Sequence, residues 1–382
     1  MRVLACFVVL MNCLSTGYAS TPANLPSDPA PVATLDLSSQ LLPGHANLHL
    51  ASFAFVSETS IALVLCSKGK PDPCQLSVIR WEGGVLRPSP QTVGWDTGAH
   101  VNPATDGRVL GTCYSLLCNP VLYSADLSTS LRLPSPLFVV SPSGSTVATI
   151  TIGGSKPTTK GWKPTGGGWK VYHLGSNLEP IRDGTGNLRS ISDEVVVIQD
   201  DTTLRTETLA GKVLGSFSVP PENKCDTEVE PLDDHRLFLS NCKGMRVVDF
   251  NGHQQLKLQK PKGWWYMSGR FSVNEFPWSA NGSRLLANYV YRKVSALRNS
   301  VEIAVALVSM LEVDLMQDWN RQEIRVVDTV TGASCFDWRQ SFPLHSNPLV
   351  AASISPSGEF LALASANALS IYSLPAVCET KK

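Results

Sequence analysis

The sequence has no excess of charge of either sign, because 32 lysines and arginines balance 32 aspartates and glutamates. A chain without a basic field does not attract nucleic acid or an anionic membrane surface, so we expect neither as a partner. Beyond the N-terminus, no uncharged apolar run reaches about 18 residues, the length that a membrane-spanning helix needs. We therefore predict no transmembrane segment.

Motifs of several enzyme and cofactor classes are also missing. The sequence has no Gly-x-Ser-x-Gly nucleophile elbow, no Asp-x-Asp-x-Asp-Gly calcium loop and no Cys-x-x-Cys zinc pair. Gly153–Lys156 lacks the spacing of a phosphate-binding loop, and no helical pattern follows it. We therefore predict no cofactor and no metal, and the sequence identifies no reaction.

Two sets of polar residues need a separate explanation. His45 and His49 have the spacing of a metal pair on a helix, but the alternating pattern around them indicates an extended segment. Four residues of a strand span about 13 Å, so these side chains cannot share one ion. Asp200–Asp201 and Asp233–Asp234 are adjacent carboxylates at turns, where acid–base chemistry across a pocket is not expected.

The N-terminus has the pattern of a secretion signal. A short positive end is followed by the apolar run Val3–Leu14, and Gly17 and Ala19 have the small side chains of a cleavage site. We predict a signal peptide at 1–20, a Pro-rich leader at 21–31 and a secreted or periplasmic protein. The alternative is a buried N-terminal helix.

Cysteine usage agrees with export. Ten cysteines are present, and eight remain after removal of the signal. Eight cysteines allow 105 pairings, and short spacing favours local pairs that leave the last two cysteines for each other. The predicted disulfides are Cys66–Cys74, Cys113–Cys118, Cys225–Cys242 and Cys335–Cys378.

The strongest structural pattern is a strand, a tight turn and another strand, repeated along the chain. Residues 351–374 contain apolar segments around Ser355-Pro-Ser-Gly358, where proline sets the first turn position and glycine adopts a left-handed conformation. Residues 138–144 repeat the motif, and Phe276–Ser283 is a looser copy. Such a unit cannot bury its own faces, which indicates a repeat architecture.

The regular recurrence of short apolar segments between turn signals predicts an all-β chain. We expect it to form a β-propeller of about seven blades, and six or eight blades are also possible. Residues 32–378 would form one domain, and Val32–Leu41 would supply the outer strand of the last blade and close the ring. A segment at about 293–320 is too long for a loop tip and is predicted to be an insertion, either a helix or an extended hairpin. The predicted blades are 48–90, 91–134, 135–182, 183–220, 221–260, 261–340 and 341–378.

These motifs carry a family resemblance. The two Ser-Pro-Ser-Gly turns and the Asp328-x-x-Thr331-Gly332 turn resemble bacterial secreted WD-type β-propeller repeats, over about a third of the chain. The resemblance implies a propeller fold and a rigid binding platform. Trp95-Asp96 is predicted to lie in a loop rather than at a strand end, where WD repeats carry this dipeptide, and the single docking-like repeat at 327–338 is too few for a quinone-cofactor propeller.

Aromatic residues near glycine are the candidate ligand contacts, because they offer a large binding area at low entropic cost. The alternative is packing between blades. The candidates are Trp162, Trp169, Trp264, Trp265 and Tyr266.

The sequence favours a non-enzymatic, secreted propeller that binds a protein, peptide or glycan. The alternative is a propeller hydrolase or lyase that acts on a glycan or lactone, with active groups converging on the central channel.

Overall fold

Strands account for nearly all of the regular structure in a computed structural model of the chain, with one short 3-10 turn at Thr105–Gly107. The described strands form seven four-stranded antiparallel sheets and one two-stranded ribbon. The structure describes residues 29–37, 48–67, 74–95, 99–113, 119–135, 137–151, 155–158, 161–164, 167–175, 177–219, 227–241, 244–259, 265–268, 279, 281–292, 319–343, 350–365 and 367–379.

The first strand, β1 (Ala33–Asp36), belongs to the last sheet, and the sheets then follow the chain in order. Blade 1 contains β2 (Leu48–Ser57), β3 (Ser60–Ser67), β4 (Cys74–Glu82) and β5 (Val85–Trp95). Blade 2 contains β6 (Ala99–Pro103), β7 (Val109–Cys113), β8 (Val121–Tyr123) and β9 (Ser130–Arg132). Blade 3 contains β10 (Phe138–Val140) and β11 (Thr146–Thr151), then the ribbon strands β12 (Ser155–Thr158) and β13 (Gly161–Pro164), and then β14 (Gly168–Leu174) and β15 (Leu178–Thr185).

The remaining blades continue the same meander. Blade 4 contains β16 (Asn187–Ile191), β17 (Val195–Asp200), β18 (Thr203–Thr208) and β19 (Val213–Ser218). Blade 5 contains β20 (Glu228–Pro231), β21 (Arg236–Asn241), β22 (Gly244–Asp249) and β23 (Gln254–Gln259). Blade 6 contains β24 (Trp265–Ser268), β25 (Arg284–Arg292), β26 (Trp319–Asp328) and β27 (Ser334–Pro343). Blade 7 contains β28 (Ala351–Ile354), β29 (Phe360–Ala364) and β30 (Ala368–Ser373), and β1 is its outer strand.

The ring is closed by the N-terminal strand, as the sequence predicted. β1 pairs antiparallel with β30, with Ala33 opposite Ile371 and Leu35 opposite Leu369. Leu35 and Leu37 alternate toward the core and are 6% and 0% exposed. The predictions of an all-β fold and of a propeller of about seven blades are confirmed.

The hydrophobic core is divided among the blade junctions. Each of the seven core clusters joins side chains of two consecutive blades, and one of them joins blade 7 to blade 1. Alternate residues of a strand point to opposite faces of the sheet, so each blade contributes to the junctions on both of its sides. Blades are therefore stabilised mainly by their neighbours.

The repeated turns have one hydrogen-bond pattern. In the turn after β10, the N–H of Gly144 donates to the carbonyl oxygen of Ser141 at 2.9 Å, and the Ser141 hydroxyl accepts from the N–H of Thr146 at 3.1 Å. The turns at Gly282 and Gly358 repeat the first bond at 2.9 Å, with Ser279 and Ser355 as acceptors. The looser copy in blade 6 thus uses the same serine and glycine positions.

These glycines also bring consecutive turns together. Gly144 has a φ of +70°, and a Cβ there would lie 2.2 Å from the carbonyl oxygen of Pro103 in blade 2. Gly282 has a φ of +67°, and its Cβ would lie 2.7 Å from the carbonyl oxygen of Leu232 in blade 5. The motif therefore needs glycine both for its backbone conformation and for packing of neighbouring blades.

Two of the predicted disulfides are formed. Cys66–Cys74 joins neighbouring strands of blade 1, and Cys335–Cys378 holds the C-terminal segment on blade 6, each with an S–S distance of 2.00 Å. Beside the second bridge, Ser334 and Glu379 exchange backbone hydrogen bonds of 3.0 and 3.1 Å. The other two pairs stay predictions, because Cys118, Cys225 and Cys242 and the side chain of Cys113 lie outside the described residues.

Several predicted segments fall wholly or partly outside the description. Residues 1–28 are not described, and neither are 293–318 of the predicted insertion, whose last two residues begin β26. In the part of the chain that is described, no helix is long and apolar enough to cross a membrane.

Candidate functional site

The described aromatic candidates fall in three sheets, which are the blade 3 sheet, the two-stranded ribbon and the blade 6 sheet. Trp169 in β14 is 2% exposed within the core between blades 3 and 4, with the Arg182 guanidinium 5.1 Å from its ring centre. A Cβ at Gly184 would lie 2.2 Å from this ring, so the glycine makes room for it. Trp169 is a packing residue in this structure.

The other four aromatic candidates are described in part. The backbone of Trp162 in β13 lies opposite Pro157 in the ribbon, and Trp265 and Tyr266 belong to β24 of blade 6. Trp264 and the side chains of the other three lie outside the described residues.

Arginines at five blade junctions hold neighbouring blades together. Each donates to one or two backbone carbonyl oxygens of the following blade or of the chain that borders it, in a partly buried setting. The arginines and the residues whose carbonyls they contact are Arg108 to Leu174 and Gly175, Arg182 to Thr208, Arg189 to Thr227, Arg236 to Gly282, and Arg284 to Pro375 and Ala376.

Two arginines at the junction of blades 1 and 2 do not follow this pattern. Arg80 in β4 lies directly opposite Arg87 in β5. Leu76 and Val78, which alternate with Arg80 along β4, belong to the core shared with blade 2, so both arginines face blade 2. Both are exposed, and neither guanidinium forms a hydrogen bond or ion pair with a described residue. Like charges at opposed strand positions repel each other, so the pair does not contribute to stability.

The outer strand of blade 1 opens a cleft around this pair. The pairing of β4 with β5 jumps from Ser77–Thr92 to Ile79–Pro88, so residues 89–91 bulge from the strand. The cleft has a volume of about 450 Å³, within the usual range for ligand sites. Its lining consists of Arg80, Glu82, Val85, Arg87, Pro88, Ser89, Pro90, Gln91 and Asp126.

Two tryptophans fix the position of this hairpin. Trp95 is the last residue of β5, so the loop predicted for it was wrong. It packs against Gly111 of blade 2, and its ring centre is 5.6 Å from that of Tyr123. Trp81 packs edge-on against Phe360 of blade 7 at 4.4 Å, on the opposite face of the hairpin. The end of β5 that carries Trp95 therefore packs on blade 2. The other end of the hairpin, which carries Trp81 and the two arginines, packs on blade 7.

Asp126 forms the opposite wall of the cleft, in the turn between β8 and β9. Its Oδ1 accepts hydrogen bonds from the Ser124 hydroxyl at 2.6 Å, the Ser128 hydroxyl at 2.7 Å and the Ser128 N–H at 3.0 Å. The Ser124 hydroxyl, followed by the two Ser128 donors, lowers the pKa of Asp126 to about 2. The carboxylate is therefore ionised at any physiological pH.

The backbone beside Asp126 is strained. Leu127 has a φ of +62°, a conformation that bulky residues rarely adopt, and its side chain is 7% exposed within the core between blades 1 and 2. Burial of Leu127 holds this conformation and leaves Asp126 exposed beside the cleft. Backbone strain of this kind is concentrated at functional sites.

The other polar candidates are not brought together. His45 and the side chain of His49 lie outside the description. Asp200 and Asp201 are exposed at a turn, and Asp233 pairs with Arg236 at 2.5 Å. Over the described residues, no group of three or more His, Cys, Asp or Glu side chains is arranged to hold a metal ion.

No family model matches the chain, and no curated protein matches it. Among solved structures, a chain of the "Crystal Structure of Mitotic Checkpoint Complex" is 12% identical, with a TM-score of 0.46 over 94% of this chain and 96% of that one. An oligogalacturonate lyase in complex with manganese is 12% identical, with a TM-score of 0.43 over 94% and 96%. BamB from Moraxella catarrhalis is 9% identical, with a TM-score of 0.40 over 90% and 99%. Similarity at this level does not assign a ligand or an activity to this chain.

The cleft was missed at the sequence level, although part of its signal is present. Gly83-Gly84 is a two-residue hairpin turn that places Glu82 opposite Val85 and therefore Arg80 opposite Arg87. The contribution of Asp126 has no local signal, because it depends on the packing of two blades.

Proposed function

We propose that this protein is a non-enzymatic binding scaffold, and that the cleft between blades 1 and 2 is a ligand site. The observation that supports this most is the opposed pair Arg80 and Arg87, which lacks partners among the described residues while other junction arginines bind the next blade. A guanidinium presents donors in a fixed fork that matches a carboxylate or phosphate. The cleft therefore favours an anionic group.

The lining of the cleft favours recognition over catalysis. Its described residues include two arginines, three apolar residues, a serine, a glutamine and two acids. These groups supply charge, hydrogen bonds and apolar contact. The pKa of Asp126, lowered to about 2 by its hydroxyl and N–H donors, makes this carboxylate a weak base at neutral pH.

The test is a binding measurement on the full secreted chain, with immobilised poly-L-glutamate as the probe. We expect the double variant Arg80→Ala/Arg87→Ala to bind at least about tenfold more weakly, since each lost charge-assisted contact contributes about 1 kcal/mol or more.

The control variant Lys212→Ala/Lys257→Ala removes the same net charge from exposed positions on blades 4 and 5. It should stay within about twofold of wild type, because exposed charges at a distance are screened by salt. Equal losses in both double variants would show that only net charge matters and would refute the assigned site.

We also propose that the chain is exported after removal of residues 1–20, which is supported by the two disulfides in the described residues. Intact-mass analysis of the secreted form should give a chain that begins at Thr21, and retention of residues 1–20 would contradict this.

The other four aromatic candidates, Trp162, Trp264, Trp265 and Tyr266, stay proposed ligand contacts, and loss of binding in their alanine variants without loss of folding would support that role.

A further inference from the structure

We propose that the cleft between blades 1 and 2 binds the side-chain carboxylate of an extended acidic peptide segment in preference to a phosphate monoester. This inference rests on the proposed function and specifies its ligand.

The first step concerns the number of positive charges. Arg80 and Arg87 are direct cross-strand partners, and the Cβ atoms of such partners are about 5 Å apart. Two guanidiniums at this separation can both donate to one planar anion. By themselves they accept either a carboxylate or a phosphate.

The second step concerns the fixed negative charges. Asp126 lies in the same cleft, its Oδ1 is occupied by Ser124 and Ser128, and its pKa of about 2 keeps it ionised. Glu82 lies two residues after Arg80 on the same face of β4 and also lines the cleft. Two positive and two negative side chains make the lining close to neutral.

The charge balance sets the preference. A carboxylate brings one negative charge, whereas a phosphate monoester carries about two at pH 7. The two arginines attract the additional charge, but Asp126 and Glu82 offset this attraction in a cleft whose four charges sum to zero. The larger cost of removing a dianion from water therefore stays uncompensated, and we expect about a tenfold difference in affinity.

The third step concerns the shape of the ligand. Pro88 and Pro90 have no N–H, so the free edge of β5 cannot continue a regular ladder with an added strand at these positions. A ligand must therefore bind mainly through its side chains. Val85 is 49% exposed beside the arginine pair, and it offers an apolar contact to a residue next to the acid.

The volume of about 450 Å³ exceeds what a single carboxylate fills. The combination of opposed arginines, an apolar rim and the exposed Gln91 suits a short extended segment with one acid between apolar residues. An acidic polysaccharide shares the carboxylate but not the apolar neighbours.

The experiment compares two peptides by isothermal titration calorimetry at pH 7. One is acetyl-Gly-Leu-Glu-Leu-Gly-amide, and the other has phosphoserine in place of glutamate. Wild type should bind the glutamate peptide about tenfold more tightly. Asp126→Asn keeps an oxygen acceptor for Ser124 and Ser128 but removes the charge, so the preference should shrink by about tenfold, and Glu82→Gln should act in the same direction.

Each result has a defined meaning. An unchanged preference in both Asp126→Asn and Glu82→Gln, tighter phosphopeptide binding by wild type, or binding of neither peptide would overturn the inference. Binding of sodium polygalacturonate without binding of the glutamate peptide would also overturn it and assign the cleft to a polysaccharide. The proposed function fails separately, if Arg80→Ala/Arg87→Ala retains the anion binding of wild type.

Discussion

Arginine occupies two kinds of position in this ring. Arg284 is 8% exposed, pairs with Asp328 at 2.7 Å and donates to two carbonyl oxygens near the C-terminus. Arg80 and Arg87 are exposed, opposed and without a described partner. The first kind stabilises the fold, and the second kind, whose position the stability of the fold does not explain, carries the proposed binding role.

This difference predicts opposite effects on stability. Replacing Arg87 by alanine should leave the free energy of unfolding unchanged or raise it by about 0.5 kcal/mol, because repulsion from Arg80 is relieved. Arg284→Ala should lower it by roughly 2–4 kcal/mol, because partly buried Asp328 loses its ion-pair partner and two carbonyls lose a donor. Urea unfolding without ligand measures both. A large loss of stability in Arg87→Ala would indicate a structural role and weaken the proposed site.

At the scale of the element, the turn between the first two strands of a blade packs that blade against the preceding one. The glycine of this turn has a positive φ in blades 3, 6 and 7, and a Cβ there would contact the preceding blade at 2.2 to 2.8 Å. Gly83, in the β4–β5 hairpin, has a φ of +58° but nothing within 4 Å of its Cβ position.

Alanine substitutions at Gly83 and Gly144 separate the free-energy cost of the backbone conformation from that of a packing clash. Gly83→Ala should cost about 1 kcal/mol for the left-handed backbone alone. Gly144→Ala adds a clash with the backbone of Pro103 and should cost more than about 3 kcal/mol. Chemical unfolding of both variants gives the comparison. Equal losses would mean that blade 2 moves away at little cost, contrary to tight packing of the turns.

The elements of the fold were largely predictable, and those of the cleft were not. The Ser-Pro-Ser-Gly turns and the alternation in β11 and β29 follow from local rules, so the blade boundaries agree with the predicted ones to within ten residues. The bulge at 89–91 has two causes, prolines that interrupt the ladder and Trp95 that fixes the strand end on Gly111. The second is a contact between blades, and no pattern within β5 reveals it.

At the scale of the whole molecule, every blade depends on its neighbours, and the two ends of the chain close the ring. β1 completes blade 7, and the Cys335–Cys378 disulfide fixes the C-terminal segment on blade 6. Seven junctions have the same apolar construction, and the polar contacts across them distinguish one from another. A motif search cannot find a site made of Arg80, Arg87 and Asp126, because its parts meet only when blades 1 and 2 pack.

The most direct test of the central claim is hydrogen–deuterium exchange of the full chain with and without poly-L-glutamate. Ligand in the cleft should slow exchange in peptides that cover residues 80–91 and 124–129, on two different blades, while peptides of blades 4 and 5 stay unchanged. Protection confined to another region, such as the ribbon at 155–164 with Lys156 and Lys163, would contradict the assignment of the cleft as the binding site.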